Sequence, residues 1–260
     1  MVGQNQTYYE IKERFELAAG QPEKAACPLC QLTRESVARY MGSLSYENVN
    51  DPEQRERLRA SGGFCNRHSW QWHSHKDALG TAIIYQDVAR VFLSKLAEGN
   101  LATTLSPVRS GLWSFFSGGV TEKTGGSGQN NHELGAPGIE KREELKLARC
   151  PACELEDANG QRLVEEFVHG LKEEGFREAY TASKGICLPH LAWAEERMNT
   201  TTRQLVLKVE AEKWAEIQNE LGQVIEKSNF DHHLGQQKLG PEAYAIYRSL
   251  WKASGMEGLG

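Results

Sequence analysis

The feature that most constrains this chain is a four-ligand pattern that occurs twice: Cys-Pro-x-Cys, then Cys-x-x-His about 35 residues later. Cys27-Pro28-Leu29-Cys30 and Cys65-Asn66-Arg67-His68 make the first copy. Cys150-Pro151-Ala152-Cys153 and Cys187-Leu188-Pro189-His190 make the second. The second copy follows the first at an offset of 123 residues for the first motif and 122 for the second. Gly63-Phe64 and Gly185-Ile186 stand before the two Cys-x-x-His motifs. All six cysteines belong to the pattern. A duplication of this kind sets the fold before any local propensity is considered.

The chemistry the pattern suits is metal binding. Two cysteines three apart can reach one ion across a tight turn, and the proline after the first cysteine fixes φ and presets that turn. A cysteine and a histidine three apart at a helix start lie on one face of the first turn. The helix N-terminus favours the thiolate through its unpaired amides and dipole. Three thiolates and one imidazole suit tetrahedral zinc and fill all four of its positions, as structural zinc sites do. With one ion per copy, the expected ligand sets are Cys27, Cys30, Cys65 and His68, and Cys150, Cys153, Cys187 and His190. Iron–sulfur clusters, which also use cysteine and histidine ligands, stay open at this stage. So do oxidised Cys-x-x-Cys pairs, metal loss from one copy, and a single eight-ligand binuclear site.

Periodicity predicts an all-α chain of two pseudo-repeated helical units, each clipped by its Cys3His site. The division expected is 1–102, a linker over 103–137, and 138–260. The linker is rich in Gly, Ser and Asn, a composition that buries too little apolar surface to offset its ordering entropy. Leu112-Trp113-Ser114-Phe115-Phe116 is an apolar island within it. Helices are expected over 10–19, after Cys30, and from Asp51-Pro52, where an N-cap precedes a proline. One long helix is expected from Cys65 to about Glu98, with Leu79, Ile83, Ile84, Val88, Val91, Phe92 and Leu96 as its apolar face. The second copy repeats the plan, with a short helix over 173–182 and a long one from Cys187 to about Lys227. In the latter, Trp214, Ile217, Leu221 and Val224 form a heptad-like seam. A last helix over 241–251 is expected to pack back through Tyr244, Ile246, Tyr247, Leu250 and Trp251.

Composition narrows the partners. The 260 residues carry a formal net charge of −5, which argues against non-specific binding to nucleic acid. No run of about 18 apolar residues exists to span a membrane. The N-terminal residues lack the apolar core of a secretory signal, which points to the cytoplasm and to reduced thiols. His73, His75 and Asp231-His232-His233 read as solvated surface, and Trp70 and Trp72 as packing residues. Glu154, Glu156 and Asp157 read as acidic first-turn residues that complement a helix dipole.

Cys-Pro-Leu-Cys, the stretch Ser45-Tyr46-Glu47-Asn48-Val49-Asn50-Asp51-Pro52, the stretch from Leu58 to His68, and the later Cys-Pro-Ala-Cys and Cys-Leu-Pro-His together resemble an uncharacterised prokaryotic family of unknown function. The resemblance covers most of the chain outside the linker and implies no activity. The sequence contains no phosphate-binding loop, nucleophile elbow or His-Glu-x-x-His motif, so the balance is against an enzyme. The expected function is a non-catalytic protein with two structural zinc ions, acting as a protein-interaction or adaptor module or self-associating through its helices. The alternatives are a redox-responsive zinc–thiolate switch and an iron–sulfur electron carrier or enzyme.

Overall fold

A computed structural model describes residues 6–21, 26–97, 147–229 and 239–256. The expected linker, its apolar island and Asp231-His232-His233 lie outside the described residues. Among the described residues the regular structure is helical, with no strand. The helices are α1 (Gln6–Gly20), α2 (Pro28–Ser43), α3 (Pro52–Ala60), α4 (Asn66–Ser74), α5 (Ala78–Ala97), α6 (Pro151–Gly170), α7 (Glu174–Ala182), α8 (Leu188–Glu195), α9 (Thr200–Asn229) and α10 (Tyr244–Ser254). A π-helical turn, Leu44–Asn48, extends α2, and a 3-10 turn, Pro241–Ala243, precedes α10. None of these helices is long and apolar enough to cross a membrane. The chain divides into two compact units, 1–47 with 152–260, and 48–151.

Helices begin at residues 28, 52, 66 and 78 and at residues 151, 174, 188 and 200. The motif cysteines sit at these starts. Cys27, Cys65 and Cys187 are the N-cap residues of α2, α4 and α8, in extended backbone, and none spends its side chain on capping. The start of α3 follows the expected chemistry: Asp51 accepts a hydrogen bond from the Gln54 amide at 2.9 Å, and Pro52 opens the helix. That helix ends on Gly62 and Gly63, at φ 68° and 90°. The Gly63 amide reaches back to the Leu58 carbonyl at 2.7 Å, and the two residues after it are Phe64 and Cys65.

Both long helices expected from the Cys-x-x-His motifs are broken after two turns. Lys76 adopts φ 56° between α4 and α5, and Asp77 starts the new helix by accepting from the Gly80 amide at 2.8 Å. Asn199 does the same for α9, accepting from Thr202 at 2.9 Å. Asp and Asn side chains compete well for the free amides of a helix start. The apolar periodicity continues across each break, so the sequence pattern hid it. Of the expected apolar face of α5, Ile84 and Val88 are buried, whereas Leu79 and Leu96 are exposed.

The unit of 1–47 and 152–260 is built on an aromatic cluster. Phe15 of α1 meets Phe167 of α6 at 5.9 Å and Phe176 and Tyr180 of α7 at 5.8 and 5.4 Å between ring centroids. All four side chains are fully buried, each contributing about 1.5–3 kcal/mol. The seam of α9 packs within the chain, against the 3-10 turn and α10, with Ile217 buried. The final helix is turned from its expected register. Ala245, Arg248, Trp251 and Lys252 face inward, and Tyr244, Ile246, Tyr247 and Leu250 are exposed. Two inward basic residues explain the turn: Arg248 pairs with Glu220 and Lys252 with Glu210.

In the unit of 48–151, α3 and α5 are joined through Asp87. It is buried and accepts from Arg55 at 2.9 Å and Arg59 at 3.0 Å. Burial works against its charge, but the two guanidinium hydrogen bonds outweigh it and hold the carboxyl below its usual value. Trp72 of α4 is buried and donates to Thr81 of α5 at 2.9 Å, while Trp70, expected to pack, is exposed.

Candidate metal centres

Every expected ligand falls into one of two four-residue groups, and the groups are paired crosswise. Cys27 and Cys30 of the first copy meet Cys187 and His190 of the second. Cys65 and His68 of the first copy meet Cys150 and Cys153 of the second. In each group the ligand atoms lie within 4.8 Å of one another. The expected sets, one per copy, are therefore corrected: each group takes its Cys-Pro-x-Cys from one copy and its Cys-x-x-His from the other.

The first group lies in the core of the unit of 1–47 and 152–260. The α2 start supplies Cys27 and Cys30, and the α8 start supplies Cys187 and His190. Cys30 Sγ is 3.6 Å from Cys187 Sγ and 3.4 Å from His190 Nδ1. His190 Nδ1 is 3.1 Å from Cys187 Sγ and 3.6 Å from Cys27 Sγ. A tetrahedral ion with Zn–S about 2.3 Å and Zn–N about 2.0–2.1 Å sets its ligand atoms about 3.6–3.8 Å apart. The group comes close to that shell. In the second group, His68 Nδ1 is 3.3 Å from Cys65 Sγ and 3.6 Å from Cys150 Sγ. Both histidines present Nδ1, the nitrogen nearer the backbone, because the three-residue spacing brings that atom within reach of the N-cap thiol. Both groups could hold a metal ion.

The two groups differ in exposure. In the first, all four residues are buried, whereas Cys65 and Cys153 of the second are half-exposed. Within the first, the surroundings act unequally on the thiols. Burial opposes ionisation of Cys27, but hydrogen bonds from Cys187 and Cys30 and the neighbouring His190 outweigh it and hold this thiol well below its ordinary value. Burial and the adjacent Cys27 push Cys187 well above.

The sequence matches a family of unknown function (DUF6062) over residues 10–257. The chain belongs to this family. It is also 38% identical over 66 residues to an "Uncharacterized 23.9 kDa protein in xynA 3'region" of Caldicellulosiruptor sp. (strain Rt8B.4). That match covers 25% of this chain and 32% of the relative, so the chain spans about a third of the relative's length. No solved structure matches the chain. The family carries no assigned function, so the ligand groups are the chemistry from which a function can be argued.

Three features around the first group were not legible as site residues. Gly185, at φ 79°, sits where an added Cβ would lie 2.4 Å from Glu210 Oε1, so only glycine fits the turn into Cys187. Its place before the motif was the one available signal. The second feature is a buried Glu210–Lys213–Lys252 network, whose members are scattered through α9 and α10. The third is Gly160 of α6. A Cβ there would lie 2.7 Å from the Trp193 ring, which in turn packs edge-on against His190 at 5.7 Å between centroids. Gly160→Val should push Trp193 onto His190 and weaken metal binding at the first group by about 10- to 100-fold, the usual cost of disturbing a ligand's support. Competition with a chelator of known affinity measures it; unchanged affinity would mean that Trp193 does not orient His190.

Proposed function

We propose that each group binds one zinc ion in a structural role, and that the protein is a non-catalytic interaction module held in shape by those ions. The observation that carries this reading is the closed shell: three thiols and one imidazole nitrogen at single-ion spacing, which leaves no position for water or substrate. An iron–sulfur cluster would spread its ligands around several irons, and the short ligand separations favour one ion instead. The exposed Ile246, Tyr247 and Leu250 form an apolar strip on α10 that supports a protein partner or a second copy of the chain.

A second reading, a redox-responsive zinc–thiolate switch, is favoured by the half-exposed Cys65 and Cys153, which an oxidant can reach more readily than the buried thiols of the first group. Metal analysis of anaerobically purified protein tests the zinc reading. Two zinc ions per chain and a colourless protein are expected. A brown protein containing iron would overturn it.

A further inference from the structure

We propose that the C-terminal helix and the two residues after it form an outer shell for the first metal centre, with Lys252 and the Met256 amide as positioning groups that set its affinity. This rests on the reading that the group of Cys27, Cys30, Cys187 and His190 binds a metal ion.

Two independent contacts support it. First, the turn that delivers Cys187 is held by side chains of α9 and α10. Lys252 is fully buried, and its ammonium donates to the carbonyls of Lys184 at 3.2 Å and Ile186 at 3.1 Å and to Glu210 Oε2. Those three acceptors use all three of its donors. Glu210 Oε1 accepts from the Ile186 amide at 3.1 Å and from the Tyr180 hydroxyl at 2.8 Å. Lys213 donates to the carbonyls of Thr181 and Ser183 at 2.7 and 2.6 Å. The backbone from Thr181 to Ile186 is thus pinned at five points by three charged side chains, and the next residue is the ligand Cys187. A buried ion network is costly to assemble unless every member is satisfied. Here it is satisfied by the turn that aims a ligand.

Second, α10 ends at the other side of the same centre. Gly255, at φ 86°, brings the backbone to Cys30: an added Cβ would be 3.7 Å from Cys30 Sγ. The next residue is Met256, whose backbone amide favours the charged form of Cys30. An amide pointed at a metal-bound thiolate withdraws charge from the sulfur and fixes its direction, and support of this kind commonly contributes 10- to 100-fold in affinity. Lys252 and Met256 are four residues apart, so one short segment, the end of α10 and the residues after it, touches the turn before Cys187 and approaches the sulfur of Cys30.

The test uses the full chain with cobalt(II) as the probe, whose thiolate charge-transfer and ligand-field bands report the shell directly. Met256→Pro deletes the amide donor, and Met256→Ala, which keeps it, is the control for the lost side chain. Lys252→Met removes the ammonium at similar volume. Met256→Pro is expected to shift the charge-transfer band and weaken cobalt binding at this centre by about 10-fold or more, with Met256→Ala close to wild type and the group containing Cys65 and His68 unaffected. Lys252→Met is expected to weaken the same centre alone. If wild type binds cobalt in a three-thiolate shell and Met256→Pro matches Met256→Ala in band position and affinity, the positioning role is wrong while the metal reading stands. If wild type shows no thiolate–cobalt band, both are wrong. Should Lys252→Met fail to fold, the proline–alanine pair still decides.

Discussion

Cys187→Ser should destabilise the unit of 1–47 and 152–260 more than any apolar substitution in its core. The ligands of the first centre are part of that core: Cys27, Cys30 and Cys187 cluster with Leu29, Ile186, Leu191 and Trp251. Structural zinc contributes on the order of 10 kcal/mol to folding at neutral pH, against about 5–15 kcal/mol of net stability for a whole domain. Loss of one thiolate leaves three ligands and weakens the clip rather than deleting it, so a loss of about 5 kcal/mol is expected, or about 10–20 °C in midpoint for a unit of this size. Removing the ion from wild type with a chelator should produce the larger effect. Thermal melts followed by circular dichroism, with and without chelator, measure both. A midpoint unchanged by chelation, with the zinc shown to be gone, would mean that the apolar core suffices and that the metal is not structural.

The local chemistry of this fold was legible in the sequence because it is local. Asp51-Pro52 at the start of α3 and the thiols at helix starts each follow from neighbours within a turn or two. The breaks at Lys76 and near Asn199 were missed because a cap made by one Asp or Asn side chain does not interrupt apolar periodicity.

The pairing of ligands was missed for a different reason. Each half contains both motifs, so the sequence is unchanged by exchanging partners, and the shorter loop looks the natural choice. Chain entropy gives that choice little weight. Closing the loop from Cys30 to Cys187, 157 residues apart, rather than to Cys65, 35 residues apart, costs only about 1.3 kcal/mol more. Packing easily outweighs it: α1 and α6 share Phe15 and Phe167, which brings the two ends of the chain into one core and α2 to the side of α8. The outer groups, Glu210, Lys213, Lys252 and Met256, carry no spacing signal, since their roles arise only once α9, α10 and the turn before Cys187 have met.

Crosswise pairing is the central claim, and counting zinc in paired substitutions tests it most directly. Two double variants, Cys30→Ser with Cys187→Ser and Cys30→Ser with Cys65→Ser, would be examined by native mass spectrometry at low temperature, where the fold is best retained. Crosswise pairing predicts one zinc ion kept in the first double variant, because both substitutions fall on the same centre, and none kept at full affinity in the second. Pairing within each half predicts the reverse, and that result would contradict the account.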